Sequence, residues 1–443
     1  MHTYRLEGEV EPQFRVVSSS CELPVRARRA SQLETRDSNS RLPTELFKAV
    51  TSLVAAASLA VASPAHAQSD TSWATLQSAF RTYVGADSIV GASLLTARDG
   101  RQLQRVNIGM GDRALAQPIT DATLYHWGSI TKTLTAVAIM QLRDRGKLSL
   151  DDRITRYLPE LRRIHDPYGS MDDITLRMLM SHSAGTRNGT WPYGEGRPWE
   201  PFEPTSWEQL VAMMPYQQLL FAPGSQYGYS NPAFVYLARV IEQITGDPWI
   251  HYIQKNIWTP LGLTRSYVSA TPYHLAADRS NNYYVQRDSA TKALRVVANG
   301  RDFDPGITIP NGGWNAPLDD ILAWGAFLTN ATNGDARKQK TFDTILTRAS
   351  LGEMWRAVVP LEQARPNDGA MGLSFFLYPR GSERIVGHTG SQAGFHAFLW
   401  FNPRTKRVVV AAFNSASETT LNGAEQAQRA LNDAVFRYLE KSP

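Results

Sequence analysis

Residues 124–146 read LYHWGSITKTLTAVAIMQLRDRG, a pattern that predicts a helix with a serine at its start. Apolar residues recur at helical spacing from Thr131 to Arg145, and Gly146 ends the pattern. Ser129 stands just before this helix, where free backbone N–H groups and the helix dipole favour developing negative charge. Lys132 follows one helical turn later, so its side chain can return to the serine.

This pairing of serine and lysine has a chemical meaning. A serine hydroxyl is a poor nucleophile unless a base removes its proton and hydrogen-bond donors stabilise the oxyanion that forms. If apolar neighbours desolvate Lys132, its amine can lose its proton near neutral pH and act as that base. The same residues also fit a helix-capping serine followed by an ordinary surface lysine, so the pair alone establishes no function.

A second motif, Tyr229-Ser230-Asn231, precedes another predicted helix at Pro232–Thr245. A tyrosine hydroxyl close to a lysine ammonium can be held partly as phenolate and can shuttle the serine proton. The amide of Asn231 can contact a substrate carbonyl and orient the lysine. The alternative is a plain turn, since Ser-Asn-Pro is good turn chemistry.

A third motif, Gly387-His388-Thr389-Gly390-Ser391, stands just before a predicted strand. Its two glycines allow a substrate backbone to lie close. The Ser391 N–H can complete an oxyanion hole with the Ser129 N–H. Taken alone, His-Thr-Gly is more often the entry to a strand than part of a site.

The two ends of the chain have strand patterns, whereas the middle is mostly helical. Asp99-Gly100 and Asn402-Pro403-Arg404 are turn signals that join strands into hairpins. The predicted fold is therefore α/β (α+β), with an antiparallel sheet from both chain ends flanked by helices and an inserted, mostly helical region. The predicted strands are Ser88–Thr96, Arg101–Ile108, Phe395–Phe401 and Arg407–Phe413, and the further predicted helices are Trp73–Val84, Pro248–Trp258, Leu318–Leu328 and Gly423–Leu439.

In this order, the three motifs resemble the serine β-lactamase and penicillin-recognising hydrolase superfamily, in the branch of class C β-lactamases and D-alanyl-D-alanine carboxypeptidases. The resemblance runs from about Trp73 to Tyr438 and implies a β-lactamase/transpeptidase-like fold. Flanking segments that share it are 124–133, 146–152, 179–185, 223–231, 260–263 and 311–314.

The resemblance implies a role for each motif residue. Ser129 is the acylated nucleophile, Lys132 is its base partner, and Tyr229 acts in proton transfer. Either Lys132 or Tyr229 can be the general base. The residues expected to bind substrate are Asn231, His388, Thr389, Gly390 and Ser391.

His388 departs from the class C pattern, which carries lysine at this position. A histidine with an ordinary pKa near 6.5 is mostly neutral at pH 7. Losing a charged contact with a substrate carboxylate costs roughly 1.5–3 kcal/mol, or one to two decades in recognition. The sequence therefore favours D-peptidase or esterase-like activity over β-lactam hydrolysis.

The N-terminal residues predict export. Within 46–67, an apolar run follows Lys48, and Ala65 and Ala67 frame a cleavage site. The run is shorter than the roughly 20 residues of a spanning helix, so we expect a signal peptide rather than a stable membrane anchor. Residues 1–45 have no core pattern, and we expect them to be an artefact of the assigned start or a leader. The hydrolase domain is then 68–443, in the periplasm or secreted from a bacterium.

Composition excludes several other classes of protein. The chain has 443 residues, of which 42% are hydrophobic, and a net charge of +5 without a basic stripe, so no nucleic-acid partner is expected. Cys21 is the only cysteine and lies before the predicted cleavage site, which excludes a cysteine hydrolase. No histidine pair has ligand spacing, so no metal or cofactor is expected.

These observations favour an exported serine hydrolase that forms an acyl-enzyme on a small molecule or short peptide, amide or ester. Two alternatives remain open at this level. One is a class C-type β-lactamase, and the other is a penicillin-binding sensor or scaffold that acylates without turnover. The oligomeric state is open as well.

Overall fold

The computed structural model describes residues 71–189, 204–288, 291, 293–365, 367–417 and 423–441. The predicted leader (1–45) and signal peptide (46–67) lie outside these residues.

Strands come from both ends of the chain, as predicted. Their bounds are β1 Gly91–Arg98, β2 Arg101–Asp112, β3 Gln117–Pro118, β4 Leu124–His126, β5 Asn282–Arg287, β6 Leu294–Gly300, β7 Asn315–Pro317, β8 Val359–Pro360, β9 Ala370–Met371, β10 Phe376–Arg380, β11 Glu383–Gln392, β12 Phe395–Asn402, β13 Arg407–Phe413 and β14 Ser415–Ser417. In the described residues, nine of them form one sheet in the order β3-β2-β1-β13-β12-β11-β10-β9-β8. The pairing of β1 with β13 is antiparallel and joins the two chain ends, which confirms the predicted sheet.

Helices are the main regular structure of the segment between the strands of the two ends. Their bounds are α1 Thr71–Ala86, α2 Thr131–Asp144, α3 Leu176–Met180, α4 Trp207–Met213, α5 Pro232–Thr245, α6 Trp249–Ile253, α7 Thr259–Leu261, α8 Ile309–Gly312, α9 Leu318–Leu328, α10 Ala336–Ile345, α11 Arg348–Met354 and α12 Ala424–Glu440. A π-helical segment, Gln254–Trp258, joins α6 to α7. Helices α5 and α9 have the predicted bounds. In the part of the chain described, no helix has both the length and the apolar character needed to cross a bilayer.

The first predicted strand begins three residues later than expected. Ser88 has a φ of +53°, a left-handed conformation that a strand does not contain. The N–H of Ile89 donates to the carbonyl of Val84 at 3.0 Å, so these residues close helix α1 instead. The hairpin that follows has positive φ at both Asp99 and Gly100, which is the turn that the Asp-Gly pair predicts.

The two faces of the sheet bury separate apolar cores. Helices α1 and α12 cover one face, over a core that includes Phe80, Phe413 and Leu439. The helical insertion covers the other face around α2, which is buried from Thr131 to Leu142. A helix buried on all sides must pair its polar side chains, and its threonine hydroxyls do donate to backbone carbonyls.

Candidate active site

The first and third motifs meet where strand β11 crosses the short 3₁₀ turn Gly128–Ile130 that precedes α2. A Cβ placed on Gly390 would lie 1.9 Å from the Trp127 carbonyl oxygen and 3.2 Å from the Ser129 nitrogen. A Cβ on Gly128, whose φ is +49°, would lie 2.7 Å from the Ser391 nitrogen. The two backbones approach so closely that neither position has room for a Cβ, so both must be glycine. The same close approach brings the Ser129 and Ser391 N–H groups near each other.

The side chain of Lys132 is fully buried, and its Nζ is surrounded by oxygen atoms. Its Nζ lies 2.9 Å from Ser129 Oγ. It also donates to Asn231 Oδ1 at 2.7 Å and to the backbone carbonyl of Asn311 at 2.8 Å. No carboxylate is among these partners. Burial lowers the pKa of Lys132 well below its usual value, which favours the neutral amine.

Tyr229 lies over this lysine. The Nζ of Lys132 is 4.9 Å from the centre of the Tyr229 ring. Burial raises the pKa of the Tyr229 hydroxyl, and a contact with Ser129 only partly opposes this shift. The phenol therefore stays protonated, in contrast to the partial phenolate expected from its motif. Both shifts favour a neutral amine beside a neutral phenol.

Asn231 is held by two other asparagines. Its Oδ1 accepts from Asn311 Nδ2 at 3.2 Å, and its Nδ2 donates to Asn188 Oδ1 at 3.0 Å. These contacts orient the Asn231 carbonyl oxygen towards Lys132. Asn188 and Asn311 were not among the predicted site residues. The sequence signal for Asn311 was the glycine turn 311–314, and for Asn188 it was only its place at the start of 188–207, a stretch rich in Gly, Pro and aromatic residues that predicts a long surface loop.

The third motif is divided between the cleft and the interior. Thr389, Gly390 and Ser391 line a cleft of about 950 Å³ together with Ser129, Tyr229 and Asn231. His388 instead lies behind this wall and is 1% exposed. Its Nδ1–H donates to the Thr389 carbonyl. Burial lowers the pKa of His388 to about 3, so the imidazole is neutral.

The cleft continues past Ser391 along the face covered by α1 and α12. Its remaining described walls combine aromatic, polar and small or aliphatic residues: Tyr83, Asp87, Asn188, Tyr378, His396, Ala397, Phe398, Trp400, Phe413, Ala416, Ala424, Glu425, Gln428, Leu431, Asn432 and Phe436. Neither lysine nor arginine occurs among the described residues that line it. Tyr378, Trp400 and Phe436 pack against one another with ring centres 5.4–5.6 Å apart, which gives this part an apolar surface.

Residues 76–433 match the family model described as Beta-lactamase. The chain belongs to the β-lactamase family. It is an enzyme of the serine hydrolase type that this family comprises, and the predicted membership is confirmed. The mixed fold with an antiparallel sheet is that of β-lactamase/transpeptidase-like proteins, as predicted.

Relatives in the β-lactamase family are named for different activities. The esterase EstB of Burkholderia gladioli is 31% identical over 272 residues, which are 56% of this chain and 68% of EstB. A β-lactamase of Pseudomonas fluorescens is 29% identical over 215 residues, 48% of this chain and 54% of that protein. The match thus spans about half the length of the Pseudomonas protein.

Solved structures share the fold at low sequence identity. An octameric penicillin-binding protein homologue from Pyrococcus abyssi has a TM-score of 0.67 at 24% identity, covering 84% of this chain and 78% of the other. A D-amino acid amidase from Ochrobactrum anthropi has a TM-score of 0.63 at 21% identity, covering 83% and 99%. A class C β-lactamase has a TM-score of 0.64 at 17% identity, covering 86% and 99%.

Proposed function

We propose that this protein hydrolyses a short ester, amide or D-peptide through an acyl-enzyme on Ser129. The observation that carries the proposal is the environment of Lys132 Nζ. A neutral amine has two N–H donors and one lone pair. Asn231 Oδ1 and the Asn311 carbonyl can take the two donors, since carbonyl oxygens only accept. The lone pair then faces Ser129 Oγ, 2.9 Å away.

The first half of the reaction follows from this arrangement. The Ser129 hydroxyl gives its proton to Lys132 Nζ while Oγ attacks the substrate carbonyl carbon. The resulting oxyanion accepts from the Ser129 and Ser391 N–H groups. The Tyr229 hydroxyl then donates its proton to the leaving oxygen or nitrogen and regains one from the Lys132 ammonium. The alcohol or amine leaves, and Ser129 stays esterified.

The second half reverses these roles with water. Lys132 accepts a proton from water, either directly or relayed through the Tyr229 hydroxyl, as the water oxygen attacks the acyl carbon. The ester bond to Ser129 Oγ breaks, and the oxygen regains a proton from the lysine. A carboxylic acid is released and the resting groups are restored. In this scheme Lys132 is the base for acylation, because burial favours its neutral form and the protonated form of Tyr229.

The charge of the cleft supports a substrate without a carboxylate. His388 is neutral and buried where a cation would otherwise face a substrate carboxylate. The described lining residues carry no lysine or arginine, and aromatic rings form much of one end. We therefore propose apolar or aromatic groups without a carboxylate as the preferred substrates. This ranks ester and amide hydrolysis above β-lactam hydrolysis.

Replacing Ser129 by Ala tests the proposal. The variant is expected to lose both covalent labelling by a fluorophosphonate probe and hydrolysis of 4-nitrophenyl esters. Ser225→Ala is the matched control, because its exposed hydroxyl donates only to the Ala222 carbonyl. Turnover or labelling that persists in Ser129→Ala would rule out Ser129 as the nucleophile.

β-Lactam hydrolysis is the second candidate, because one relative is named a β-lactamase. One purified sample assayed with a short-chain ester, a D-Ala-D-Ala peptide and a chromogenic cephalosporin separates the two. We expect kcat/KM to be highest for the ester, which carries no carboxylate, whereas the peptide and the cephalosporin both carry one. Fastest turnover of the cephalosporin would reverse the ranking, and a stable adduct without product would indicate a penicillin-binding sensor.

Export is part of the proposal. The signal-like segment 46–67 supports cleavage after Ala67, which leaves a mature chain starting near Gln68. N-terminal sequencing of the protein expressed in a bacterium checks this, and a mature start elsewhere would contradict it.

A further inference from the structure

His182 holds the second motif from one side. Its backbone carbonyl accepts from the N–H of Gly228 at 2.8 Å. Its ring Nδ1 accepts from the N–H of Ser230 at 3.0 Å. These two donors flank Tyr229, so one residue binds the backbone immediately before and immediately after it.

The His182 ring also contacts the Tyr229 side chain directly. The two rings are stacked, with centres 4.3 Å apart and planes inclined by 26°. His182 is 1% exposed and therefore has little freedom to move. Stacking sets the plane of the phenol, whereas the two backbone contacts set the position of its Cα. Together they determine where the hydroxyl lies relative to Ser129.

The hydrogen bond that the His182 ring accepts requires a neutral imidazole in one particular tautomer. Because a backbone N–H can only donate, Nδ1 must be the acceptor and the ring proton must be on Nε2. Burial lowers the pKa of His182 well below its usual value, which agrees with this state. His182 also has a φ of +55°, in the left-handed region that is uncommon for residues other than glycine and asparagine.

We infer that His182 is a positioning residue for the acylation step. It orients the hydroxyl of Tyr229 towards the substrate bond that Ser129 cleaves. The inference rests on the proposed function, since it assumes proton transfer by Tyr229. A displacement of about 1 Å in a catalytic group can cost about a hundredfold in rate. Loss of His182 therefore lowers kcat much more than it changes KM.

A double-mutant cycle with Tyr229→Phe tests the inference. We expect His182→Ala alone to lower kcat/KM for a 4-nitrophenyl ester by about 10- to 100-fold. In the Tyr229→Phe background there is no hydroxyl to aim, so the same change is expected to cost less than about threefold.

Two further variants separate the contacts. His182→Asn keeps an acceptor oxygen for the Ser230 N–H and tolerates the left-handed backbone, but it loses the stacked ring. His182→Phe keeps the ring and loses the acceptor. Each is expected to retain more activity than His182→Ala. Leu439→Ala, in the core on the other face of the sheet, is the control for lost stability and is expected to lower Tm without changing kcat.

The outcomes distinguish the inference from the function on which it rests. If Tyr229→Phe leaves the acylation rate at the wild-type value, the proposed role of Tyr229 fails. If Tyr229→Phe is impaired but His182→Ala costs the same factor in both backgrounds, only the positioning role fails. An equal loss in His182→Ala and Leu439→Ala at matched Tm would also overturn it.

Discussion

Lys132 has lost its hydration without gaining a carboxylate partner, and this determines its chemistry. The three oxygens around Nζ satisfy hydrogen bonds but do not bring a full negative charge. Desolvation therefore outweighs stabilisation of the ammonium, and the pKa of Lys132 falls. The same burial raises the pKa of Tyr229, so the proton stays on the phenol.

The pH dependence of acylation is the first prediction at this scale. If neutral Lys132 is the base, kcat/KM is expected to rise with pH through the lowered pKa of the lysine and then to level off. Lys132→Arg is expected to reduce the plateau value of kcat/KM by about a thousandfold and to abolish its rise with pH, because a guanidinium does not lose its proton. Lys255→Arg, at an exposed lysine, is the control. A Lys132→Arg variant with wild-type activity would contradict the assignment.

The side chain at position 388 is expected to set the preference for substrate charge. His388→Lys adds a cation behind Thr389, and we expect it to raise kcat/KM for a carboxylate-bearing ester, relative to its neutral analogue, by about 10- to 100-fold. His274→Lys, at an exposed position, makes the same change in charge away from the cleft. An unchanged ratio of the two substrates in His388→Lys would refute the substrate argument.

At the scale of elements, the site depends on how closely β11 approaches the turn before α2. Gly390 has no room for a side chain, because its Cβ would lie 1.9 Å from a backbone oxygen that cannot swing away. A methyl group there must push the strand off the turn. The Ser129 and Ser391 N–H groups would then separate, since each belongs to one of the two elements.

Gly390→Ala is accordingly expected to lower kcat/KM by at least about a hundredfold, the usual cost of a lost oxyanion donor. Gly352→Ala is the matched control, because its Cβ meets no atom within 4 Å inside helix α11. Alanine is expected to raise stability there by roughly 0.5–1 kcal/mol. Kinetics and thermal unfolding of both variants check the pair. An active Gly390→Ala enzyme would show that this approach is not required.

For the whole molecule, buried neutral histidines make stability depend on pH. Burial lowers the pKa of His126 to about 4 and that of His388 to about 3, from 6.5 in the unfolded chain. As the pH falls, these histidines bind protons in the unfolded chain at a higher pH than in the folded protein. Their contribution to the free energy of unfolding is therefore complete above about pH 6.5. It is lost as the pH falls towards 4.

The free energy of unfolding is therefore expected to decrease below pH 6.5, by up to about 1.4 kcal/mol per pH unit for each of these histidines. Urea unfolding at pH 7.5, 6 and 5 measures this decrease. The slope should be smaller in a folded His126→Asn variant, which has one fewer titrating group. A free energy that stays constant between pH 7.5 and 5 would contradict the prediction.

Local pattern was sufficient for much of this protein. The helix after Ser129, helices α5 and α9 and both hairpins all follow from periodicity and turn residues. These signals act between residues close in sequence, so each could be interpreted without knowing the rest of the fold. The order of three motifs was enough to predict the family, and with it the β-lactamase/transpeptidase-like fold.

The charge states of the site residues, and the residues that hold them in place, depend on the tertiary structure. The partners of Lys132 lie 99 and 179 residues away along the chain, and only folding determines which oxygens surround its amine. His182 is 48 residues from Ser230, and its motif gives no sign that its ring holds Tyr229. Burial, and hence pKa, depends on what packs around a group. The sequence therefore predicted the candidate reacting residues, while packing places His388 behind the cleft wall and lowers the pKa of Lys132.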